Sequence, residues 1–524
     1  MQRTEIAYPR WTEYRKKNGL DPLGMQNGSI NLYQRLLPGI SNVTLRMRYY
    51  GFYAWLASAY ARIDGSTDEK NWQRFVRRAE ALYALTASHH GDISGIAGIR
   101  WAGRKLAESS DVIDFAVNAD PDASGTRYLK QAWGAYGAAY GSQLFETGVL
   151  AQATNHVIPV PSPEFGDRLS QAITEAWGRS TDLFLDAVER GRVTSDELDD
   201  LEPTIPSAIE EGSIERKIYE EILFATGPLK RADDISRRDT MRLLIEAAGH
   251  LGEFPDAFSV RWLLYAGADR QGRVFQPDEP QVIRHAERWR VYQANDLLHF
   301  AYETLLGFSL SVLEGYPGGL TLERLIAECL ERISSTPDSW PKSWAEFEQT
   351  HRPADNAWDT NADLSEIALT DKIGAGSSDA GIIQPNAAWA AFQLIAIVLS
   401  RSIRDRDLIS TELGTLDREG FHSLITEHAF VETIRDLSFS SAAARILRER
   451  VINRHLWVAH RKFRYQGDYT FLLEADEGRV RCRAPSGPVF TSPRLGPAIS
   501  FLDDLHLIDE NGLTPQGERL RSAS

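Results

Sequence analysis

Apolar residues recur at helical spacing along most of the chain. Leu45, Tyr49, Phe52, Tyr53, Leu56 and Tyr60 fall three and four positions apart, which lays them on one face of a helix that Ser41 or Asn42 is placed to cap. Trp72, Phe75, Ala79, Leu82 and Leu85 repeat the pattern over 68–88. Similar periodicity predicts helices over 164–190, 195–201, 213–226, 236–251 and 280–314, and over 387–401. The first ~40 residues carry Gly19, Pro22, Gly24, Gly28, Pro38 and Gly39 and read as an extended arm with turns. His89–Gly103 reads as a turn leading into a short helix, and 126–150, dense in Gly, Ala and Tyr, reads as a tightly packed helix or an irregular crossing. The run from His156 to Pro163 reads as a proline-rich connector. Residues 335–386 show no sustained period and read as a long irregular region.

The character changes after residue 440. A basic helix over 442–463 is followed by two short alternating runs around Ala-Asp-Glu-Gly, which predicts a β-hairpin. Thr491-Ser-Pro493 then starts a helix reaching about Leu505. Two very short strands follow around Glu-Asn-Gly, and Thr514-Pro515 opens a last helix. The stretch from Pro493 to Leu520 resembles a winged-helix domain. The fold expected is mainly α: a multi-helical body with a small C-terminal winged-helix-like α+β module. At 524 residues one core is too few. The expected divisions are an N-terminal helical domain over 1–160 and a central helical domain over 161–334. The irregular region spans 335–386, a helical segment 387–440, and the basic helix, hairpin and winged-helix-like module 441–524.

Net charge narrows the possible partners. The formal charge is −15, so the surface as a whole repels nucleic acid and anionic membrane, and any contact with either needs a local basic patch. Two cysteines without a CxxC pair make neither a disulfide framework nor a zinc site. The polar, basic N-terminus lacks the apolar stretch of a signal peptide, and the apolar runs 49–60 and 387–399 are short of a membrane span. A cytoplasmic location without membrane partners is expected.

Four constellations could carry chemistry. The first is Leu36-Leu-Pro-Gly-Ile-Ser-Asn-Val-Thr44 with Arg46, Arg48, Tyr49 and Tyr50. It resembles the opening of a group of bacterial proteins, some encoded near anti-phage defence genes, over the ~20 residues to Trp55. The resemblance implies a context and no mechanism. Two arginines in the first turns of a helix can hold phosphate, or can fix an interface by pairing with carboxylates. The second is His89-His90-Gly91-Asp92, whose side chains could hold a divalent metal in a phosphoesterase, or could end a helix with Gly91 as its stop. The third is Asp296, His299 and Glu303, which share one helical face and suit either a metal ligand set or a satisfied polar seam. No P-loop, GxGxxG after a strand, GxSxG, HExxH or kinase motif set is present.

The fourth is the C-terminal basic run. Arg445, Arg448, Arg450, Arg454, Arg461, Lys462, Arg464, Arg479, Arg481 and Arg483 are interleaved with His455, Trp457, His460 and Tyr465. Basic residues among aromatic ones suit phosphate and base contact, or a basic face docked on the acidic body of the same chain. The helix after Pro493 contributes only Arg494, with Asp503 and Asp504 near its end, so it is poorly equipped to read bases. These residues point to a binding subunit without enzymatic activity or cofactor, and the resemblance of the 36–55 stretch implies a place in a bacterial anti-phage defence system. Its expected partner is double-stranded DNA or another protein, met through Arg454, Arg461, Lys462, Arg464, Arg481 and Arg494. The rival reading is a metal-dependent phosphoesterase or nuclease built on His89, His90 and Asp92.

Overall fold

A computed structural model describes residues 21–108, 111–123, 125–417 and 420–522. Most of them are helical, and the strands form only two-stranded antiparallel sheets, so the fold is mainly α with small β elements. The chain divides into two compact units, each discontinuous in sequence. Unit 1 holds the residues up to Tyr33, Arg261–Gln276 and Glu287–Thr491; unit 2 holds Gln34–Val260, Pro277–Ala286 and the residues from Ser492. Boundaries drawn along the sequence do not coincide with these units: the stretch 441–524, expected as one module, is divided after Thr491.

Unit 2 is centred on the Arg48–Ile63 helix, whose residues from Arg48 to Ala57 are all buried. It packs against the Gly166–Trp177 helix. Gly51 leaves room for Tyr219 of the Ile214–Phe224 helix, since a Cβ there would lie 2.2 Å from the Tyr219 hydroxyl. Phe52 stacks on Tyr83 at 4.4 Å, and Trp55 lies against Trp177 at 4.4 Å. The helix starts later than its periodicity implied. Leu45 is outside it and 37% exposed, and neither Ser41 nor Asn42 caps it. The Met47 amide instead donates to Asp504 Oδ2 at 2.7 Å, so a carboxylate distant in sequence satisfies the helix start.

The Glu69–His89 helix begins where its pattern predicted, with Asp68 Oδ1 accepting from the Lys70 amide at 2.7 Å. The expected 164–190 helix is two, Gly166–Trp177 and Ser180–Arg190, separated at Gly178 with φ +52°. The proline-rich connector contains a strand, Pro159–Pro161, paired with Leu150–Gln152; prolines are tolerated there because the ladder is an edge. At the C-terminal end, the strand Gly512–Leu513 and the helix Pro515–Ser522 pack with the Ala232–Leu251 helix, and Leu495–Asp504 packs with Ile508–Asp509, the partner strand of Gly512–Leu513.

Unit 1 contains the greater part of the 35-residue Pro280–Glu314 helix and the apolar Pro385–Ser402 helix. The arm expected before residue 40 is a helix from Gln26 to Leu36. Asp21 offsets Gly28 by accepting from the Met25 and Gln26 amides, each at 3.1 Å, while Leu32 and Leu36 are fully buried. Residues 335–386 are likewise more ordered than expected, with helices Trp344–Thr350 and Glu366–Ala375 capped by Ser343 and Ser365. The first places Trp344 and Phe347 against Phe439, which recovers apolar burial that no periodicity advertised. The stretch Pro385–Thr415 is long and apolar enough to cross a membrane by length and composition, and 78% of its apolar window is buried within the protein.

Candidate nucleic-acid interface

The basic helix is assembled from Phe439–Arg445, a π-helical turn Ile446–Ile452, and Asn453–Gln466, all in unit 1. Gly467, with φ +68°, ends it. The hairpin follows as predicted, with Leu473–Asp476 paired to Arg479–Cys482 through Glu477 and Gly478, both at positive φ.

Most cations of this run are committed within the protein. Arg445 binds Glu449 at 2.9 Å, Arg450 lies 3.4 Å from Glu427, and Arg483 binds Glu474 at 2.5 Å. Arg448 lies 3.7 Å from Glu323, and Arg481 lies 3.7 Å from Asp476. Arg479 donates to the Gly319 carbonyl at 3.1 Å. Arg454, expected to face nucleic acid, is buried: its Nε donates to the Leu23 carbonyl at 2.7 Å and its Nη1 to the Gly420 carbonyl at 3.1 Å. Burial among neighbouring cations lowers its pKa to about 10. His455 is buried as well. Its Nε2 accepts from the Leu472 amide, so its Nδ1 donates to the Pro22 carbonyl, and burial pushes its pKa down to about 4.

Arg461, Lys462 and Arg464 are the exception. No carboxylate side chain pairs with any of the three among the described residues; Lys462 Nζ donates to the Asp21 carbonyl oxygen at 2.8 Å. The Arg461 guanidinium lies 4.8 Å from the centre of the Phe421 ring and 5.5 Å from that of Trp457. Arg464 lies 5.6 Å from the Tyr465 ring. The rings themselves are open to solvent, Trp457 at 45% and Tyr465 at 74%. A cavity of about 490 Å³ lies between Gly24, Asn27, Phe421, Trp457, Arg461, Lys462 and Tyr465. Gly24, Asn27 and Phe421 had no signal in the sequence, because they reach this place from segments far from the basic run.

Arg494 is not beside these residues in the same unit. It belongs to unit 2, at the start of Leu495–Asp504 with φ +66°, where its amide donates to Asn42 Oδ1 at 3.1 Å and its Nη1 to the Leu37 carbonyl at 3.4 Å. The helix that follows buries Leu495, Ala498, Ile499, Phe501 and Leu502, so it is a core element.

Arg46 and Arg48 are both buried in carboxylate and carbonyl pairings. Arg46 Nη1 binds Asp92 at 2.7 Å and its Nε binds Asp504 at 2.9 Å. Burial works against the Arg46 charge, and Asp504 and Asp92 outweigh it, holding the group charged. Arg48 makes a two-pronged pair with Glu215 at 2.9 and 3.0 Å and donates Nη1 to the Pro203 and Ile205 carbonyls.

The metal reading of His89, His90 and Asp92 is corrected by their partners. His89 Nε2 meets Asp199 at 2.6 Å, His90 Nε2 meets the Leu198 carbonyl at 2.9 Å, and Asp92 joins Arg46 and the Ser207 amide. The three side chains are turned to separate partners because the Glu69–His89 helix ends there, and among the described residues no group of three or more His, Cys, Asp or Glu side chains is placed to hold a metal ion. Asp296, His299 and Glu303 do line up, wholly buried. His299 lies 3.3 Å from Asp296 and 2.9 Å from Glu303. Arg261 and the Val489 amide take the remaining carboxylate oxygens, and Thr491 and Gln26 donate to the two that His299 meets, which makes the group a polar seam.

No protein-family model matches the chain, and no curated protein and no solved structure matches it either.

Proposed function

We propose that the protein is a nucleic-acid-binding subunit whose contact is made by Arg461, Lys462 and Arg464. The observation that carries this reading is the contrast within one helix: Arg445 finds its acid and Arg454 its carbonyls, while three successive cations near the C-terminal end have no carboxylate partner among the described residues and stand beside exposed rings. In a chain of net charge −15, unpaired guanidinium groups clustered among aromatic rings are the feature that phosphate recognition requires. A role in anti-phage defence is what the resemblance of the 36–55 segment implies, and capture of nucleic acid is compatible with it. The winged-helix likeness of the C-terminal residues does not supply the contact in this reading. The helix that would read a groove is buried on most of its surface, and its exposed positions include Asp503.

The test is an anisotropy titration of the full chain with a labelled DNA duplex at several salt concentrations. Binding should weaken steeply with salt. The triple variant R461A/K462A/R464A should flatten the log–log slope by about two to three units, with little change in sequence preference. Absence of binding at low salt, to the duplex and to a single strand of the same length alike, overturns the proposal and leaves protein docking as the use of this face.

A further inference from the structure

The cavity beside these cations has a shape and lining that bear on which form of nucleic acid it takes. It is concave, about 490 Å³, within the range of sites that enclose a small ligand. Its walls alternate ring and charge: Phe421, Trp457 and Tyr465 against Arg461 and Lys462. One layer behind the lining lies Arg454, its guanidinium 4.4 Å from the Trp457 ring. Gly24 makes room for it, since a Cβ at Gly24 would stand 2.9 Å from Arg454 Nη2. That Nη2 is buried and has no hydrogen-bond acceptor among the described residues. Arg454 is therefore a nine-tenths-buried cation with a donor left over, in contact with two residues that line the cavity. Burial and the nearby Arg450 and Arg461 depress its pKa even though Asp21 and Glu427 pull the other way, and burial with Arg454 and Arg450 lowers that of His422 to about 3, which marks the layer behind the lining as positive.

A duplex presents a convex backbone and hides the faces of its bases in the stack, so the rings of a concave pocket cannot reach them. An unpaired nucleotide presents a phosphate and a free π-face together. The geometry points to this pocket as a seat for one unpaired nucleotide of a single strand or strand end, its phosphate on Arg461 and Lys462 and its base against the exposed rings of Trp457 and Tyr465. This inference rests on the nucleic-acid reading given above and narrows it to single-stranded substrate.

The full chain is titrated at one low salt concentration with labelled oligothymidylate and, separately, with a duplex of the same length. Single strand should bind at least tenfold more tightly. Trp457→Ala and Tyr465→Ala should each weaken single-strand binding about tenfold, as stacking on a ring is worth roughly 1–3 kcal/mol per base. Both should bring the ratio of single-strand to duplex affinity toward one. Circular dichroism melts matching the wild type confirm that each variant folds; Tyr465 is the safer of the two because most of its surface is already exposed. Equal affinity for the two probes in the wild type, or single-strand binding unchanged in both variants, overturns the pocket assignment while leaving duplex capture by the three cations in place. Failure of both probes to bind overturns the nucleic-acid reading itself.

Discussion

Replacing Arg48 by methionine isolates what a buried arginine does in unit 2. The side chain has no solvent exposure, and its partner Glu215 has 1%. Methionine fills much of the same volume but removes four hydrogen bonds: two to Glu215 and one each to the carbonyls of Pro203 and Ile205. The carboxylate keeps only the Tyr219 hydroxyl, which donates at 2.9 Å. Breaking a buried ion pair from one side costs about 3–5 kcal/mol, because the remaining charge is left without compensation. With a urea dependence of roughly 3 kcal/mol per molar, at the upper end for small proteins, the unfolding midpoint should fall by about 1 M or more. The double variant R48M/E215M removes the stranded charge and leaves the two carbonyls and the Tyr219 hydroxyl, each costing about 1–3 kcal/mol when unpaired. It should therefore be less destabilised than the sum of the single variants by more than about 1 kcal/mol. The measurement is urea unfolding followed by circular dichroism on the full chain. An R48M midpoint indistinguishable from wild type, or fully additive single variants, would refute the claim that this pair is coupled and structural.

Two further outcomes follow from the aromatic core of the same unit. Phe52→Ala removes a fully buried ring stacked on Tyr83 and flanked by Trp177 and Phe184, and should cost about 3–5 kcal/mol in thermal or urea unfolding; an unchanged melt would mean the helix does not form the core. Glu80 is buried, and burial raises its pKa to about 7 against the pull of the Ala135 and Tyr136 amides and the Tyr53 hydroxyl. Because the folded state holds this proton more tightly than the unfolded one, the group's contribution is fully present below about pH 4.5 and is lost as pH rises to about 7. Glu80→Gln should therefore gain stability relative to wild type across that window, read as the difference in melting temperature over a pH series; a constant difference would refute it.

The parts of the fold visible in the sequence are those whose signals are local. The Arg48–Ile63 helix shows itself by spacing, the Glu69–His89 helix by spacing and an Asp68 cap, and the hairpin by an Ala-Asp-Glu-Gly turn between alternating runs. The parts that escaped depend on partners far along the chain. Glycine at position 28 reads as a breaker, yet Asp21 and two buried leucines keep that segment helical. Serine caps at 343 and 365 are local, but the reason to form the first of those short helices is burial of Trp344 and Phe347 against Phe439, about ninety residues away. The candidate site divides in the same way. The density of arginines between 445 and 483 is a property of the sequence alone. Which of them remain available is decided by Glu323, Glu427, Gly319 and Leu23, none of which lies in that stretch.

That selection changes what a salt titration should report. If all ten basic residues of the 445–483 run met phosphate, the slope on duplex DNA would approach about −9, at roughly −0.9 per neutralised phosphate. Five are paired with carboxylates and Arg454 and Arg479 are held by carbonyls within unit 1; Arg461, Arg464 and Lys462, whose Nζ also donates to the Asp21 carbonyl, have no carboxylate partner among the described residues, which gives a slope nearer −3 on duplex and −2 on single strands. The remaining acid of the chain does not cancel this contact at physiological salt, because a Debye length of about 8 Å screens carboxylates beyond the immediate surroundings while phosphates seated on the cations lie inside it. The number measured is thus a count of free cations. A slope near −9 would require the internal pairs to open on binding, Arg450 leaving Glu427 and Arg483 leaving Glu474. A slope near −3 that vanishes in the triple variant would locate the whole electrostatic contribution on one turn of one helix, and would separate this chain from proteins that bind nucleic acid through a broad basic face.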